Sequence, residues 1–341
     1  MSQATSTGRP RVALIVPSNR LRETYTPEAL CELDQFADVR RAEGDSTEIA
    51  AQLPKLLAEA DACLTSWGTP PLTEEVLSQA KCLRLVAHAA GSVKRLIPEN
   101  TFERGITVCH AANVIADAVV EMTILTILLG LRRVHDMDRA LKAGRTWQDA
   151  AAISEGRLLS AQTVGLVGLG YVGRKVTRLL SAFGPRILAY DPYLNEADAG
   201  ALGVERATLT NLFDLSTVVS IHAPITPETH HLVGAAELSR LRDGAIFINC
   251  ARSWIVDQDA LLGELRTGRF WAALDVFDQE PLPVDSPFRT LDNVLITPHR
   301  AGHSADTHRR QGLAMIEEVR RFFKGEPLQY QISPEAFARM A

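Results

Sequence analysis

A glycine-rich turn between a strand and a helix constrains the fold of this chain more than any other sequence feature. The apolar run Thr163–Val167 predicts a strand, Gly-Leu-Gly-Tyr-Val-Gly follows at 168–173, and an amphipathic stretch comes after it. A second apolar run leads to Asp191, 18 residues past Gly173. Glycines with this spacing allow a tight turn, close approach of the backbone to a pyrophosphate, and close packing of helix on strand. The pattern therefore predicts a dinucleotide-binding βαβ unit.

The acid after the second strand indicates which dinucleotide binds. A carboxylate at this place accepts hydrogen bonds from the hydroxyls of the adenosine ribose and repels a 2′-phosphate. Asp191 therefore predicts NAD, and not NADP, as the cofactor. The predicted contacts of the turn itself are Gly168, Gly170 and Gly173.

Short apolar runs alternate with longer amphipathic segments along the chain, which is typical of parallel sheets with helices on both faces. The sequence thus predicts an α/β protein. The predicted strands are Val12–Val16, Ala62–Thr65, Leu85–Ala89, Ile106–Cys109, Thr163–Val167, Ile187–Tyr190, Val218–His222, Ala245–Cys250, Ala272–Val276 and Val294–Thr297. The last six are as many as a complete dinucleotide-binding sheet contains.

Chain length and strand order predict two domains. At 341 residues the chain exceeds the length at which one hydrophobic core usually stops growing. A long, mostly apolar helix predicted from Asn113 suits the passage between domains, and an amphipathic helix over 304–324 is too short for a third domain. We expect a discontinuous, flavodoxin-like substrate domain, 1–112 with 303–341, interrupted by a Rossmann nucleotide-binding domain over 113–302.

Composition argues against several classes of protein. The charged content is 23% and the net charge is −5, so no basic surface for nucleic acid is expected. No uninterrupted apolar stretch approaches the roughly 20 residues that cross a bilayer, and no membrane span is predicted. The first ten residues lack the apolar core of a secretory signal and are predicted to be a disordered leader of a cytoplasmic protein. Five scattered cysteines without a Cys-x-x-Cys pair predict neither disulfides nor a metal site.

Three strand ends after the glycine turn carry residues with complementary chemistry. The run 245–250 leads to Arg252, the next run leads to Glu280, and the last run leads to His299. Ligands of open α/β sheets bind outside the carboxyl ends of the strands, so these side chains are expected to converge. Each residue alone is equally compatible with a solvated or structural side chain, and their joint placement is what favours a catalytic site.

Reduction of a 2-oxo acid needs a proton donor for the carbonyl oxygen and a cation for the negative charge. An imidazole exchanges protons near neutral pH, so we expect His299 to protonate that oxygen, or to take the hydroxyl proton in reverse. Glu280 would hold the other ring nitrogen, and Arg252 would bind the substrate oxygens with its planar fork. The sequence thus predicts an oxidoreductase that transfers a hydride between NAD(H) and carbon 2 of a small 2-hydroxy/2-oxo acid.

Nearly the whole chain resembles the D-isomer-specific 2-hydroxyacid dehydrogenase family, through GLGYVG with YDPY, VVSIHAPITPETHHLVG, GAIFINCAR, ALDVFDQEPLP and NVLITPHRAG, in family order and spacing. The resemblance implies a catalytic triad of Arg252, Glu280 and His299, a substrate of the glyoxylate or hydroxypyruvate type, and a homodimer joined through the nucleotide domain. It also implies that Asp275 supports the site. The implied cofactor contacts are Tyr171, Val172, Asp191, Pro192, His222, Ala223, Pro224, Thr229, Cys250, Ala251 and Asp275.

The segment 89–93 resembles the family loop whose backbone amides bind the substrate carboxylate, which implies contacts from Gly91 and Ser92. Lys94 stands near the place where the family usually has Asp, so an ordinary strand-to-helix turn stays open as the alternative.

Two further departures from the family pattern concern specificity. Ser253-Trp254 follows the arginine where the family usually has glycine, and Arg300 follows His299. Either could reshape the substrate pocket, and Arg300 could equally face solvent.

Two other functions stay open. An enzyme on the same scaffold could oxidise formate or phosphite; formate enzymes pair the histidine with Gln where this chain has Glu280, whereas phosphite is not dismissed by residues alone. An NADH-sensing binding protein, such as a transcriptional corepressor, is the second alternative, because an intact triad does not exclude it.

Overall fold

The computed structural model describes residues 8–338 and residue 340. The chain forms two compact units, one of Met1–Ile115 with His303–Ala341 and the other of Ala116–Gly302. Of the predicted N-terminal leader, residues 1–7 lie outside the described residues.

Most strands in the described ranges are separated by one or more helices, although β4 and β5, and β11 and β12, are joined without an α-helix. The strands are β1 (Arg11–Ile15), β2 (Asp38–Arg41), β3 (Ala62–Thr65), β4 (Leu85–His88), β5 (Thr107–His110), β6 (Thr163–Val167), β7 (Arg186–Tyr190), β8 (Glu205–Arg206), β9 (Val218–Ile221), β10 (Ile246–Asn249), β11 (Trp271–Leu274) and β12 (Val294–Ile296). The helices are α1 (Ser18–Thr24), α2 (Pro27–Phe36), α3 (Ser46–Leu57), α4 (Glu74–Gln79), α5 (Ala112–Arg132), α6 (Val134–Lys142), α7 (Trp147–Ala151), α8 (Tyr171–Ser181), α9 (Glu196–Leu202), α10 (Leu209–Leu215), α11 (Ala235–Leu238), α12 (Gln258–Leu265), α13 (Ala305–Lys324) and α14 (Pro334–Ala338).

The described part of the first unit contains a five-stranded parallel sheet in the order β2-β1-β3-β4-β5. This is the flavodoxin-like order. Successive side chains of a strand point to opposite faces. Val12 and Leu14 therefore pack with Met315 of α13, whereas Ala13 and Ile15 pack against α3 and α4 on the other face.

The described part of the second unit contains a seven-stranded parallel sheet in the order β12-β11-β10-β9-β6-β7-β8. Read from β8, its first six strands follow the 3-2-1-4-5-6 order of the Rossmann fold, with β12 added at the far edge. The strand order reverses between β6 and β9, where ligands bind in such sheets. The predicted α/β class with two doubly wound sheets is confirmed.

Two strands were not predicted, and both lie at sheet edges. β2 has the sequence Asp-Val-Arg-Arg, and β8 consists of Glu205 and Arg206, both exposed. Edge strands need no apolar run, because one side of their backbone is not covered by a neighbouring strand. These two strands contain no run of apolar residues, so the sequence analysis did not predict them.

Helix α5 (Ala112–Arg132) is the long, mostly apolar helix that the sequence predicts from Asn113. Within the described residues, it is the one helix long and apolar enough to cross a membrane by length and composition. Half of its most apolar window is buried, and Ile127 and Leu131 belong to the core of the second unit. This burial is typical of a core helix.

A buried carboxylate ties the end of the first unit to its sheet. Glu318 on α13 is fully buried and accepts hydrogen bonds from the backbone amides of Gln329 and Tyr330, each at 3.0 Å, and from Arg321 at 3.1 Å. The segment held in this way lies beside β5, because the His110 amide donates to the Tyr330 carbonyl.

We expect Glu318→Ala to lower the free energy of unfolding by about 3 kcal/mol, because two amides and a guanidinium lose their common buried acceptor. Urea denaturation followed by circular dichroism measures it. Glu317→Ala is the matched control, since this partly exposed neighbour pairs with arginines of the same helix and should contribute less than about 1 kcal/mol. Equal losses in the two variants would contradict this reading of Glu318.

Candidate active site

The three glycines of the turn after β6 meet different spatial demands. Gly168 has a φ of +95°, and a Cβ there would lie 2.6 Å from the backbone nitrogen of Ala223. A Cβ on Gly173 would lie 2.3 Å from the Gly168 carbonyl oxygen. A Cβ on Gly170, the N-cap of α8, would meet no described heavy atom within 4 Å beyond its chain neighbours and helix backbone. Gly168 and Gly173 are therefore required by the packing of the turn, whereas Gly170 faces space that a ligand can occupy.

Asp191 lies directly after β7 and holds the same turn. One carboxylate oxygen accepts a hydrogen bond from the Leu169 amide at 2.8 Å, and the other accepts from the Tyr193 amide at 2.9 Å. A carboxylate offers about four lone pairs, so capacity remains for ribose hydroxyls.

The strand β9 leads into a segment that lies against the glycine turn. His222 is buried, and burial lowers its pKa to about 4, so the ring is neutral. Its Nε2 has no hydrogen-bond partner among the described residues. The Thr229 hydroxyl donates to the Pro224 carbonyl at 2.6 Å and fixes the loop beyond.

Strand β10 ends in the loop that carries Arg252. The Asn249 side chain accepts from the Ala251 amide at 3.1 Å and donates to the Arg252 carbonyl at 3.0 Å. The Arg252 Nη1 donates to the Ala251 carbonyl at 2.7 Å, and its other N–H groups have no hydrogen-bond partner among the described residues. Burial lowers the pKa of Arg252, and the negative charge of Glu280 opposes this shift. Burial also raises the pKa of the Cys250 thiol to about 12, so it stays protonated.

His299 and Glu280 form a hydrogen-bonded pair at the ends of β12 and β11. The His299 Nδ1 lies 2.7 Å from Glu280 Oε2, and Glu280 Oε1 accepts from the Phe277 amide at 2.9 Å. A carboxylate only accepts, so Nδ1 carries the hydrogen and Nε2 is left to exchange a proton. A pocket of about 640 Å³ opens beside this pair, with Pro281 and Ile296 among its lining residues.

Asp275 organises the backbone that carries His299. Its side chain is 1% exposed and accepts from the Thr297 hydroxyl at 2.5 Å and from the amides of Arg300 and Ala301, both at 2.8 Å. The His299 amide donates to the Asp275 carbonyl at 2.9 Å, and His299 itself has a φ of +51°. These bonds fit the supporting role that the resemblance implies for Asp275, and its contact with the cofactor stays a prediction.

The predicted substrate loop lies in the first unit, after β4. Gly91 and Ser92 are both half-buried. The Gly91 carbonyl accepts a hydrogen bond from His110, and the Ser92 hydroxyl accepts one from the Lys94 amide at 3.3 Å. Arg252, Glu280 and His299 all lie in the second unit, at the carboxyl ends of its strands. The loop predicted to bind the substrate carboxylate belongs to the first unit.

Comparison with known proteins identifies the kind of protein that carries this site. The family model described as D-isomer specific 2-hydroxyacid dehydrogenase, NAD binding domain, matches residues 124–301. A glyoxylate reductase from Korarchaeum cryptofilum is 36% identical over 268 residues, which are 77% of this chain and 80% of that protein. The chain belongs to the D-isomer specific 2-hydroxyacid dehydrogenase family. Family membership makes NAD the cofactor of the glycine turn and places the chain among NAD-dependent dehydrogenases.

Two further relatives show how far the resemblance to this dehydrogenase family extends. A D-3-phosphoglycerate dehydrogenase from Methanocaldococcus jannaschii is 32% identical over 88% of this chain, which spans only 56% of that protein. The crystal structure of a phosphoglycerate oxidoreductase from Rhizobium etli matches with a TM-score of 0.80 and 30% identity, covering 95% of this chain and 99% of that one. The two-unit organisation is therefore shared over nearly the whole dehydrogenase chain.

Both departures from the dehydrogenase family pattern lie near the surface. Trp254 is 53% exposed and meets His230 edge-on at 5.5 Å between ring centroids. Arg300 is exposed, and its amide donates to Asp275.

A pair of histidines follows the dehydrogenase site in the chain. His303 Nδ1 and His308 Nε2 lie 3.1 Å apart beside Trp67. Among the residues for which the structure gives a placement, no three metal-ligating side chains come together.

Sequence reasoning missed three residues that shape this dehydrogenase's loops. Asn249 braces the arginine loop, while His88 and His110 lie under the Gly91–Ser92 loop. All three stand at strand ends, which is the signal that singled out His299. Asn249 and His88 contact the loops that follow their own strands, whereas His110 contacts a loop 19 residues earlier in the chain, which its neighbours in sequence do not indicate.

Proposed function

We propose that this protein catalyses reversible hydride transfer between NAD(H) and carbon 2 of a small, D-specific 2-hydroxy/2-oxo acid of the glyoxylate or hydroxypyruvate type. The hydrogen bond of 2.7 Å between His299 Nδ1 and Glu280 carries this proposal. It sets the tautomer that an acid–base group needs, at the edge of the sheet where Arg252 also lies.

The residues of the glycine turn fit a bound dinucleotide. Gly170 leaves open space at the start of α8, whose backbone amides favour a pyrophosphate. Asp191 retains lone pairs for the ribose, and the buried His222 Nε2 lacks a partner. When bound, NADH supplies the hydride.

The side chains of the site then handle charge and protons. His299 Nε2 gives a proton to the carbonyl oxygen of the 2-oxo acid, and in the opposite direction it accepts the hydroxyl proton. Glu280 stabilises the imidazolium and keeps the ring oriented. Arg252 binds the substrate oxygens through its free N–H groups, and a partly buried guanidinium binds them more strongly than an exposed one. The amides of Gly91 and Ser92 are the proposed contacts of the substrate carboxylate.

The assay that tests this function uses NADH with glyoxylate, hydroxypyruvate, pyruvate and longer 2-oxo acids, followed by loss of NADH absorbance. The reverse reaction uses both isomers of the matching 2-hydroxy acids. We expect reduction of at least one short 2-oxo acid and oxidation of the D-isomer alone. Binding of NADH without any turnover would favour an NADH sensor, and NADH formation from phosphite alone would favour the other dehydrogenase.

Replacement of Asp191 tests the cofactor preference. We expect Asp191→Asn to reduce the preference for NADH over NADPH, as a ratio of kcat/KM, by at least about 10-fold, because the charge that repels a 2′-phosphate is lost. Asn retains one oxygen acceptor, which can serve the Leu169 amide, whereas the acceptor for the Tyr193 amide is lost.

Asp198→Asn is the matched control for this change. Asp198 on α9 is partly exposed and pairs with Arg174, and its replacement removes the same charge at a position that does not follow a strand end. An unchanged preference in Asp191→Asn, or an equal change in both variants, would refute the assignment of Asp191.

A cytoplasmic homodimer is part of the same proposal. The helices α5 to α7 and the loop after them carry several exposed apolar side chains, among them Leu125, Trp147 and Leu158. Trp147 is 75% exposed, and such side chains are enriched in subunit interfaces. Sedimentation of wild type and of Trp147→Ser measures the association.

A further inference from the structure

Two buried histidines lie beneath the Gly91–Ser92 loop of the first unit. His88 ends β4 and His110 ends β5, and the two residues are directly paired in the parallel sheet. Both side chains are buried. The proposed reaction uses neither of them.

His110 fixes the orientation of one peptide in the loop. Its Nδ1 lies 3.1 Å from the Gly91 carbonyl oxygen. A carbonyl oxygen only accepts, so Nδ1 carries the hydrogen. Burial lowers the pKa of His110 while the bond to Gly91 opposes the shift, so the ring is neutral and this tautomer is set.

The orientation of the carbonyl decides where the adjoining amide points. Within the described residues, Glu280–Pro281 is the one cis peptide, so the Gly91–Ser92 peptide is trans. In a planar trans peptide the C=O and N–H bonds point in opposite directions. The Ser92 amide is therefore turned away from the buried ring and toward the outer side of the loop.

His88 supports the next peptide in the same way. Its Nδ1 lies 2.9 Å from the Thr65 hydroxyl, and the ring is hydrogen-bonded to the Ser92 backbone. Burial, aided by the neighbouring His110, lowers its pKa to about 3 despite that bond, so this ring is neutral as well. Two consecutive peptides of the loop are thus held from inside by uncharged rings.

We propose that His110 is a positioning residue for the substrate carboxylate: its Nδ1–H holds the Gly91 carbonyl inward, so that the Ser92 amide is presented to the carboxylate. The inference rests on the proposed function, in which that loop binds the acid. A preset amide strengthens binding because no loop reorganisation is needed when the anion arrives.

Three substitutions at His110 separate positioning from packing. Asn places its amide nitrogen where the His Nδ1 stands, Gln places it where Nε2 stands, and Leu fills the volume without a donor. We expect His110→Leu and His110→Gln to raise KM for the best 2-oxo acid at least about 10-fold, while kcat stays within about 3-fold and the Kd of NADH is unchanged. His110→Asn should return KM to within about 3-fold of wild type.

Oxalate binding to the NADH complex, measured by calorimetry, gives a readout that needs no turnover. Its Kd should follow the same order, with wild type and Asn tighter than Gln and Leu. If the wild type binds oxalate but reduces no 2-oxo acid, the proposed function fails while the order of Kd values still decides the inference. The inference about His110 is overturned if folded Leu and Gln variants keep the wild-type KM and oxalate Kd. It is also overturned if Gln restores KM as well as Asn does, or if the wild type binds no oxalate.

Discussion

His299→Ala is expected to lower kcat for 2-oxo acid reduction by about 10³-fold, with the Kd of NADH unchanged. General acid–base groups contribute 10² to 10⁴-fold, and a loss of 10³ corresponds to about 4 kcal/mol in the transition state. His299 is assigned this role because its Nδ1 is bound to Glu280 at 2.7 Å and its Nε2 is left for the substrate. Steady-state kinetics and NADH fluorescence titration measure the two quantities.

Two companion variants sharpen this result. Glu280→Gln keeps an acceptor for the imidazole but removes the charge that stabilises its protonated form, so its loss should be smaller, about 10 to 100-fold. His135→Ala, on α6 of the same unit, removes a histidine whose ring faces Trp271 and should leave kcat within about 3-fold. Retention of more than a tenth of wild-type kcat by His299→Ala would remove the acid–base assignment.

Arg252→Ala is expected to lower kcat/KM by about 10³-fold, through losses in both kcat and substrate affinity. The Arg252 side chain is partly buried at the end of β10, where a charge-assisted hydrogen bond to a substrate oxygen is stronger than at an exposed surface. Loss of one partner of such a pair costs about 2–5 kcal/mol. Substrate kinetics and the Kd of oxalate separate the two components.

Arg252→Lys keeps the charge without the planar fork, so it should recover only part of the loss. Arg300→Ala is the matched control, because this exposed arginine contributes only its amide to the Asp275 cluster. A kcat/KM of Arg300→Ala within about 3-fold of wild type is expected. Equal damage from Arg252→Ala and Arg300→Ala would show that the two cations act together on the substrate.

Sequence patterns were sufficient to predict the parts of the fold whose contacts lie within one short segment. The glycine turn is such a part, since the φ of Gly168 and the contacts of Gly173 arise within one strand, turn and helix. The ten apolar strands were predicted in the same way, from short runs of apolar residues. The edge strands β2 and β8 did not, because they are polar and short.

Contacts between segments that are distant in sequence could not be predicted from these patterns. The bond from His110 to Gly91 depends on the register of β4 against β5, which no residue pattern reveals. The bonds from Asp275 to the amides of Arg300 and Ala301 depend on the turn at His299, whose positive φ is uncommon outside glycine. Without coordinates, these backbone bonds of Asp275 could not be predicted.

The discontinuity of the first unit sets an order of events during synthesis. A ribosome releases the whole of 116–302 before α13 emerges, so the nucleotide-binding unit can condense while its companion still lacks a helix. Until that helix arrives, the face of the sheet formed by Val12, Leu14 and Leu64 has no cover from Met315 or Val319. The nascent polypeptide thus carries an uncovered apolar surface for much of translation, which is the kind of surface that chaperones shield from aggregation.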